Sequence, residues 1–341
     1  MTKRRQHFLQ LLAITVLILS TWLPVTTARA DQFTQPEKRR IQVIKKRYRR
    51  LSHAAYGPDN MYQIKPRFNT RLQRGQLTPH YQNQLLAYVN FYRDLAGLQP
   101  VRYGFNTNQQ AQVAAATMAA SGGFSHGLTG LKRPHTVTKQ QWQTGQQVTA
   151  VSNIGEMNDP ERIDATIGNY VRDNFNVEGN NTGHRAWLMS PVIHTIGIGV
   201  ANQAHAKFAY SDVYFADQAQ RSITPNRATV VNYPSAGVFP RELLVSDVAK
   251  HPIYWSSNFT MAQPTNGPVK VTITDTTTKQ TKAAKDVVMD GKQRFGQFGA
   301  IIHYQPTLAI KNGHHYVVKI TGLQHYPKGY QYDFKPFSLT N

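Results

Sequence analysis

The chain contains no cysteine among its 341 residues. This feature excludes a disulfide framework, thiolate metal sites, iron–sulfur clusters and a cysteine nucleophile. Core burial must therefore hold the fold, and a hydrophobic fraction of 40% in a chain of this length can supply packed cores. At about 150 residues per domain, the length predicts two domains.

Residues 1–30 have the pattern of a cleavable export signal. Lys3, Arg4 and Arg5 precede the apolar run FLQLLAITVLILSTWLPV, which the small-residue segment Ala28-Arg29-Ala30 follows. This order is typical of a secretory signal peptide. The alternative is an uncleaved membrane anchor, since the run is about as long as the shortest spanning helices. We predict cleavage after Ala30, a secreted or cell-wall-associated protein, and no transmembrane segment in the mature chain.

Positive charge is concentrated in residues 31–80, within a chain of formal net charge +21. The run EKRRIQVIKKRYRR places Ile41, Ile44 and Tyr48 at helical spacing, which predicts a basic amphipathic helix followed by a proline-containing linker. Two interpretations stay open. The arm adheres to an anionic cell-wall polymer or lipid surface rather than to intracellular nucleic acid, or it is a solvated segment without a partner.

Residues 81–222 are predicted to form helices on both sides of a small antiparallel sheet. The segments NQLLAYVNFYRDLAGLQPV, NTNQQAQVAAATMAASGG and NDPERIDATIGNYVRDNF read as helices, the third with Asn158 or Asp159 as its N-cap. The runs HTIGIGVA and KFAYSDVYFA alternate apolar and polar residues and predict a hairpin. The glycines of IGIGV are expected to permit close helix packing, because their spacing differs from that of a dinucleotide fingerprint.

Three side chains of this region could carry chemistry: His126 in FSHG, Glu156 in NIGEM and His184 in TGHRAW. Each is predicted at a helix end or in a glycine-flanked loop, where rigid scaffolds present functional groups. Their spacing does not establish that they meet. The competing interpretation is that each histidine beside a glycine is a surface or capping residue.

The motifs LLAYVNFYRDLAGLQPV, AQVAAATMAASGGFSHG, NIGEM, TGHRAWLMSPVIHTIGIGVA and FAYSDVYFA resemble, in order and spacing, the CAP superfamily in its bacterial SCP-like extracellular branch. The resemblance implies an α-β-α sandwich with a cleft that holds two histidines and two acids. His126 and His184 match the histidines, and Glu156 matches the first acid. Asp173 is the best match for the second acid, with Glu178 as the fallback.

This residue set allows two kinds of site. Imidazoles and carboxylates suit Zn²⁺ or another divalent cation, with His126, His184 and Glu156 as ligands. Alternatively, the carboxylates only hydrogen-bond the imidazoles. The resemblance implies no single enzymatic activity, so we favour a binding module over an enzyme, with a wall polymer, lipid or surface molecule as ligand. The alternative is a metal-dependent hydrolase of cell-wall peptide or glycan.

Residues 228–341 are predicted to form a second domain, an immunoglobulin-like β-sandwich, which makes the whole chain α+β. Short strands rich in β-branched and aromatic residues recur here, and one of them places Val269, Val271 and Ile273 on one face. The aromatic residues of this region either fill the core, which we favour, or form a carbohydrate-stacking face. They are Tyr254, Trp255, Tyr326, Tyr330 and Tyr332.

Overall fold

The structure is a computed structural model that describes most of the chain after the predicted signal peptide. The described residues are 33–158, 160–177, 179, 181–202, 208–216, 229–246 and 250–340. The signal-peptide prediction for residues 1–30 lies outside them. Within this part of the chain, the structure has no helix that is both long and apolar enough to cross a bilayer.

The order of elements confirms a mixed helix-and-sheet fold. The helices are α1 (Gln35–Tyr48), α2 (Pro79–Leu95), α3 (Phe105–Ser121), α4 (Lys139–Thr149), α5 (Ile163–Arg172) and α6 (Gly183–Leu188). Strands of the first half are β1 (Ala55–Tyr56), β2 (Tyr62–Ile64), β3 (Gln76–Leu77), β4 (Arg102–Tyr103), β5 (Ser152–Asn158), β6 (Glu161–Arg162), β7 (Thr195–Asn202) and β8 (Phe208–Tyr214). Strands of the second half are β9 (Val230–Tyr233), β10 (Gly237–Pro240), β11 (Trp255–Phe259), β12 (Thr265–Asp275), β13 (Gln280–Ala283), β14 (Lys285–Asp290), β15 (Ala300–Gln305), β16 (Tyr316–Leu323) and β17 (Tyr330–Phe337).

The first half is built on a four-stranded sheet with the order β4-β7-β8-β5. Strands β7 and β8 form the predicted antiparallel hairpin, and β5 pairs with β8 as an edge strand. On one face, Ala115 and Met118 of α3 pack with Ile154 and Ala201. On the other face, helices α2 and α5 share a core with the remaining apolar side chains of the sheet. The result is a helix–sheet–helix sandwich, as the sequence predicts.

The glycines of IGIGV allow α3 to lie directly on β7. A Cβ atom at Gly197 would lie 2.2 Å from the carbonyl oxygen of Thr107, and one at Gly199 would lie 2.2 Å from that of Ala111. Both obstacles are backbone atoms, so a side chain at either position would push the helix off the sheet. The close-packing interpretation of these glycines is therefore confirmed.

The start of α5 differs from the prediction. The helix begins at Ile163 with Arg162 as its N-cap, so Asn158 is not the cap; Asp159 lies outside the described residues. The physical reason is that Glu161–Arg162 is extended and pairs with Ala55–Tyr56. Pairing with a distant segment outweighs the local capping signal of the sequence.

The basic segment folds against the rest of the protein. Helix α1 begins with a capping box in which Thr34 and Glu37 satisfy each other's backbone, and Ile44 is fully buried. Arg40 donates to the Asp94 carboxylate at 3.0 Å, and so anchors the helix to the end of α2. The residues predicted as a linker include β1–β3 and contribute further buried side chains, namely Tyr56, Met61, Leu72 and Leu77.

The second half contains two sheets, with the orders β10-β17-β16-β12-β13 and β14-β15-β11-β9. The sheets share a core in which the Trp255 ring contacts Phe334 edge-on, with centroids 5.2 Å apart. Trp255 is fully buried, Tyr254 and Tyr332 are nearly so, and Tyr326 and Tyr330 pack against the same core. Core filling is therefore confirmed for Tyr254, Trp255 and Tyr332, whereas Tyr326 and Tyr330 are partly exposed at the edge of this core.

Candidate ligand-binding site

His126 stands where the chain leaves α3 and turns toward α4. Gly122 ends α3 in the left-handed conformation with φ 70°, and His126 opens a short 3-10 turn. The imidazole Nδ1 lies 2.7 Å from the carbonyl oxygen of Thr149, the last residue of α4. Because a carbonyl oxygen only accepts, Nδ1 is the donor of this hydrogen bond.

Asp173 and His184 form a hydrogen-bonded pair. Asp173 caps the end of α5 with a left-handed φ of 56°, which aspartate tolerates better than most residues do. Its fully buried carboxylate accepts from His184 Nδ1 at 2.8 Å, from Asn176 Nδ2 at 3.2 Å and from the backbone N–H of Arg185 at 3.2 Å. Three donors thus hold the carboxylate in place, and the carboxylate orients the imidazole.

Glu156 lies on the edge strand β5, so the glycine-flanked loop predicted for it is wrong. Strand β5 pairs with β8 along its whole length, and Glu156 lies opposite Tyr210 in this pairing. The carboxylate is exposed. Burial, the charge of Glu156 and a hydrogen bond to it together raise the pKa of Tyr210 to about 12. Glu156 is the solvent-facing acid of the site, whereas Asp173 is its buried acid.

Tyr170 and Ser211 complete the site and are absent from the sequence-based prediction of site residues. The Tyr170 hydroxyl lies 2.7 Å from Ser211 Oγ, and its ring lies 5.2 Å from the His184 ring. Burial raises the pKa of Tyr170, so the phenol stays neutral. A signal was present: Thr166, Asn169, Tyr170 and Asp173 follow the i, i+3, i+4, i+7 spacing of one helix face.

One cavity of about 440 Å³ collects all four predicted residues, His126, Glu156, Asp173 and His184. We call it the His/acid cavity. The polar residues share it with an apolar group that consists of Phe124, Ile154, Met157, Phe175 and Val177. Its volume lies within the range of about 300–1,000 Å³ that is usual for small-molecule sites. The structure therefore brings the predicted side chains into one solvent-reachable pocket.

A second cavity of about 220 Å³ adjoins the first and shares His126, Asn176 and His184 with it. Its wall includes Phe295 from the second half of the chain. The two histidines therefore stand between two openings and can be reached from both.

The residues predicted as metal ligands do not form a recognisable metal-binding cluster in the described part of the chain. Among the described residues, no group of three or more histidine, aspartate or glutamate side chains is arranged to hold a metal ion. Asp173 is already engaged by three protein donors. Zinc binding by His126, His184 and Glu156 stays a prediction. Glu178, the fallback for the second acid, lies outside the described residues.

Comparison with protein-family models supports the resemblance found in the sequence. The model of the cysteine-rich secretory protein family (CAP) matches residues 86–216. Among solved structures, the chain is similar to an extracellular protein containing an SCP domain from Bacillus anthracis str. Ames, at 17% identity and a TM-score of 0.27. That match covers 41% of this chain and only 44% of the other. A search of curated proteins found no match.

Proposed function

Because residues 86–216 carry a CAP domain, we propose that this protein acts outside the cell and binds an amphiphilic, lipid-like ligand in the His/acid cavity. The observation that carries the proposal is the mixed lining of this cavity, in which apolar side chains stand beside a fixed polar group. An extracellular location is supported by the signal-peptide pattern of residues 1–30 and by the secretory description of the family.

The apolar part of the cavity extends to its rim. Phe175 is 49% exposed and Val177 is 77% exposed, although both are large apolar side chains. Such exposure costs hydrophobic free energy, which a bound acyl chain would recover. The Phe175 ring packs on the His251 ring at 4.8 Å between centroids, so it is held in place at the rim.

The polar part is suited to orient a head group. His126 and the Asp173–His184 pair are fixed by hydrogen bonds to the protein, and Glu156 adds an exposed carboxylate. Fixed polar groups beside the apolar wall of a pocket give an amphiphilic ligand one orientation at a low entropic cost.

We predict that Phe175→Ser weakens binding of a fluorescent fatty-acid analogue about tenfold, because a rim contact of aromatic size contributes about 1–1.5 kcal/mol. The measurement is a fluorescence titration of the purified protein. Phe105→Ser is the matched control, since Phe105 is also exposed and does not line the His/acid cavity. Equal loss in both variants, or no saturable binding in the unmodified protein, would refute a lipid site.

The same preparation tests the alternative of a metal-dependent hydrolase. Purified cell wall is incubated with the protein and Zn²⁺, and released peptide and reducing ends are measured. Under the binding proposal we expect no release. Release that is lost in His126→Ala and in His184→Ala would replace the binding proposal with the hydrolase.

We also propose that α1 adheres to an anionic wall polymer. Several cationic side chains on α1 and in the two residues after its end at Tyr48 are exposed and form no ion pair within the described part of the chain. These residues, here called the basic face, are Arg39, Lys46, Arg49 and Arg50. Long-range electrostatic attraction to such a polymer acts on an exposed cationic surface and does not require a binding groove.

Replacement of the basic face by four glutamines is expected to lower affinity for soluble polyphosphate about tenfold at low salt and to flatten its salt dependence. The measurement is a binding titration at several NaCl concentrations. The control changes four exposed lysines of the second half to glutamine, so that the net charge falls equally; these are Lys279, Lys282, Lys285 and Lys292. Equal effects of the two sets would mean that only net charge matters.

For the second half of the chain we propose an immunoglobulin-like sandwich over residues 228–341, after a CAP domain over residues 81–222 and a basic arm over residues 31–80. Support comes from the strand order. With β9, β11, β14 and β15 lettered A, B, D and E, the sheet β14-β15-β11-β9 has the A-B-E-D order. Strands β12, β16 and β17 of the other sheet take the places of C, F and G. The buried Trp255 lies on the B strand, which departs from antibody domains.

A further inference from the structure

A third cavity, of about 220 Å³, lies between β3, the start of α2 and the start of α3. It shares no residue with the His/acid cavity. Its lining is unusual in composition, because most of the side chains are amides. They are Gln76, Gln82, Asn108, Gln109 and Gln112, together with Arg74 and Phe105. No acidic residue lines this amide cavity.

Two of the amides are fixed by the sheet beneath the cavity. Gln112 donates from Nε2 to the Val200 carbonyl at 2.8 Å and accepts the Val200 N–H at 3.1 Å, and Asn108 accepts the N–H of Ile198 at 3.0 Å. The amides of Gln76, Gln82 and Gln109 make no hydrogen bond within the described part of the chain. These three carry both donors and acceptors that remain for a ligand.

An aromatic ring stands at the edge of the same cavity. Phe105 is the first residue of α3 and is 80% exposed, the largest exposure among the large apolar side chains of the described residues. Its neighbour Gly104 is the N-cap of the helix and has no side chain. A ring that is this exposed, and that contacts no other ring in the described part of the chain, offers an apolar face for a flat ligand ring.

The walls of the cavity are rigid. Gly75 has a φ of 73°, and a Cβ atom there would lie 2.7 Å from the Ile64 carbonyl oxygen, so only glycine fits the turn before β3. On the other side, α3 is locked onto β7 by Gly197 and Gly199. A site between such elements loses little entropy when a ligand binds.

We propose that the amide cavity binds one ring of a neutral polysaccharide. Sugar hydroxyls donate and accept at once, as amides do, whereas an anion would use donors alone. Phe105 packs against the C–H face of the ring, and Arg74 adds donors without an opposing carboxylate. The cavity is slightly smaller than the usual range of about 300–1,000 Å³, which fits a single ring with the chain continuing into solvent.

Titration calorimetry of the full protein with maltohexaose, mannohexaose and chitohexaose tests this site. At least one oligosaccharide should bind. Its affinity should fall about tenfold or more in Phe105→Ala and in Gln109→Ala, both partly or fully exposed positions where substitution leaves the fold intact. Unchanged circular dichroism and thermal midpoint confirm that the variants fold.

Phe175→Ala is the matched control, because it removes an exposed phenylalanine from the His/acid cavity and should leave sugar binding unchanged. The proposal is overturned by binding of none of the three oligosaccharides, by equal binding in Phe105→Ala, or by binding of inorganic phosphate that displaces the sugar. Substitution of Phe175 should weaken only fatty-acid binding, and substitution of Phe105 should weaken only sugar binding. The two proposed sites are therefore tested separately.

Discussion

Arg185→Leu is expected to lower the free energy of unfolding by about 3–5 kcal/mol, because it removes a buried charged group whose partners all remain inside the protein. Arg185 is 1% exposed. Its guanidinium donates to the Arg172 carbonyl at 2.6 Å and to the Tyr254 carbonyl at 2.8 Å. The group also lies 4.0 Å from the centroid of the Tyr233 ring.

These contacts join the two halves of the chain. The carbonyls of Val171 and Arg172 belong to the last turn of α5, where a helix leaves its acceptors unpaired. Tyr254 and Tyr233 belong to the second half. Burial lowers the pKa of Arg185, while the nearby Tyr233 and Asp173 act in the opposite direction. Loss of the side chain therefore leaves several carbonyl groups without a donor at the junction of the halves.

Chemical denaturation measures this effect, with Arg102→Leu as the control because Arg102 is exposed and its guanidinium makes no hydrogen bond in the described part of the chain. Arg185→Lys should recover only part of the loss, since one ammonium cannot reach the acceptors that the planar guanidinium spans. A change below about 1 kcal/mol in Arg185→Leu would contradict the role given to this residue.

The sequence predicts well the features that depend on local spacing. The spacing of IGIGV predicts that its glycines permit close packing of a helix. A Cβ atom at Gly197 or Gly199 would lie 2.2 Å from a carbonyl oxygen of α3, which confirms this prediction. The end of α3 at Gly122 follows from the same kind of local rule, because glycine adopts the left-handed conformation without strain. Such features need no knowledge of distant contacts.

The sequence pattern does not predict helix α4, although the last residue of α4 supplies the carbonyl that fixes the His126 ring. Its sequence KQQWQTGQQVT is mostly polar, so hydrophobic periodicity gives little signal. The remaining signal is the capping box of Thr138 and Gln141, which the structure forms. The sequence therefore does not indicate that the Thr149 carbonyl fixes the His126 ring, and only the structure shows this contact.

Burial between distant segments also escapes local analysis. Pro58 and Pro66 predict a linker after α1, but Met61 and Leu77 are nearly fully buried in the core. Deletion of this segment would expose that core, so charge substitutions on α1 test adhesion more cleanly than truncation does. The pairing that shortens α5 by several residues has the same origin.

Asp212→Asn is expected to remove a pH dependence of stability that one buried carboxyl imposes. Asp212 of β8 is fully buried, and the only hydrogen-bond donor to its side-chain carboxyl group in the described part of the chain is Ser152 Oγ at 3.1 Å. Its Oδ2 atom has no partner there. Burial raises the pKa of this carboxyl well above its ordinary value, and the single hydrogen bond from Ser152 opposes the shift only in part.

The sign of the effect follows from which state binds the proton. Above about pH 4 the unfolded chain releases this proton, while the folded protein retains it. The contribution of Asp212 to stability should therefore be largest below that pH and fall by about 1.4 kcal/mol per pH unit until the folded pKa is passed. His303 acts in the other direction: burial and the Arg185 charge lower its pKa, so its contribution is lost as the pH falls below about 6.5.

The two contributions separate in a comparison of variants, because the substitution leaves His303 in place. Denaturation curves between pH 4 and 8 should show the difference in stability between Asp212→Asn and the unmodified protein growing with pH in favour of the variant, by one proton per molecule unfolded. Asp59→Asn is the control, since that aspartate is exposed and pairs with Lys65 at 3.0 Å. Parallel curves for Asp212→Asn and the unmodified protein would mean that Asp212 ionises inside the fold as it does in water, and that the sheet beside α3 tolerates a full negative charge.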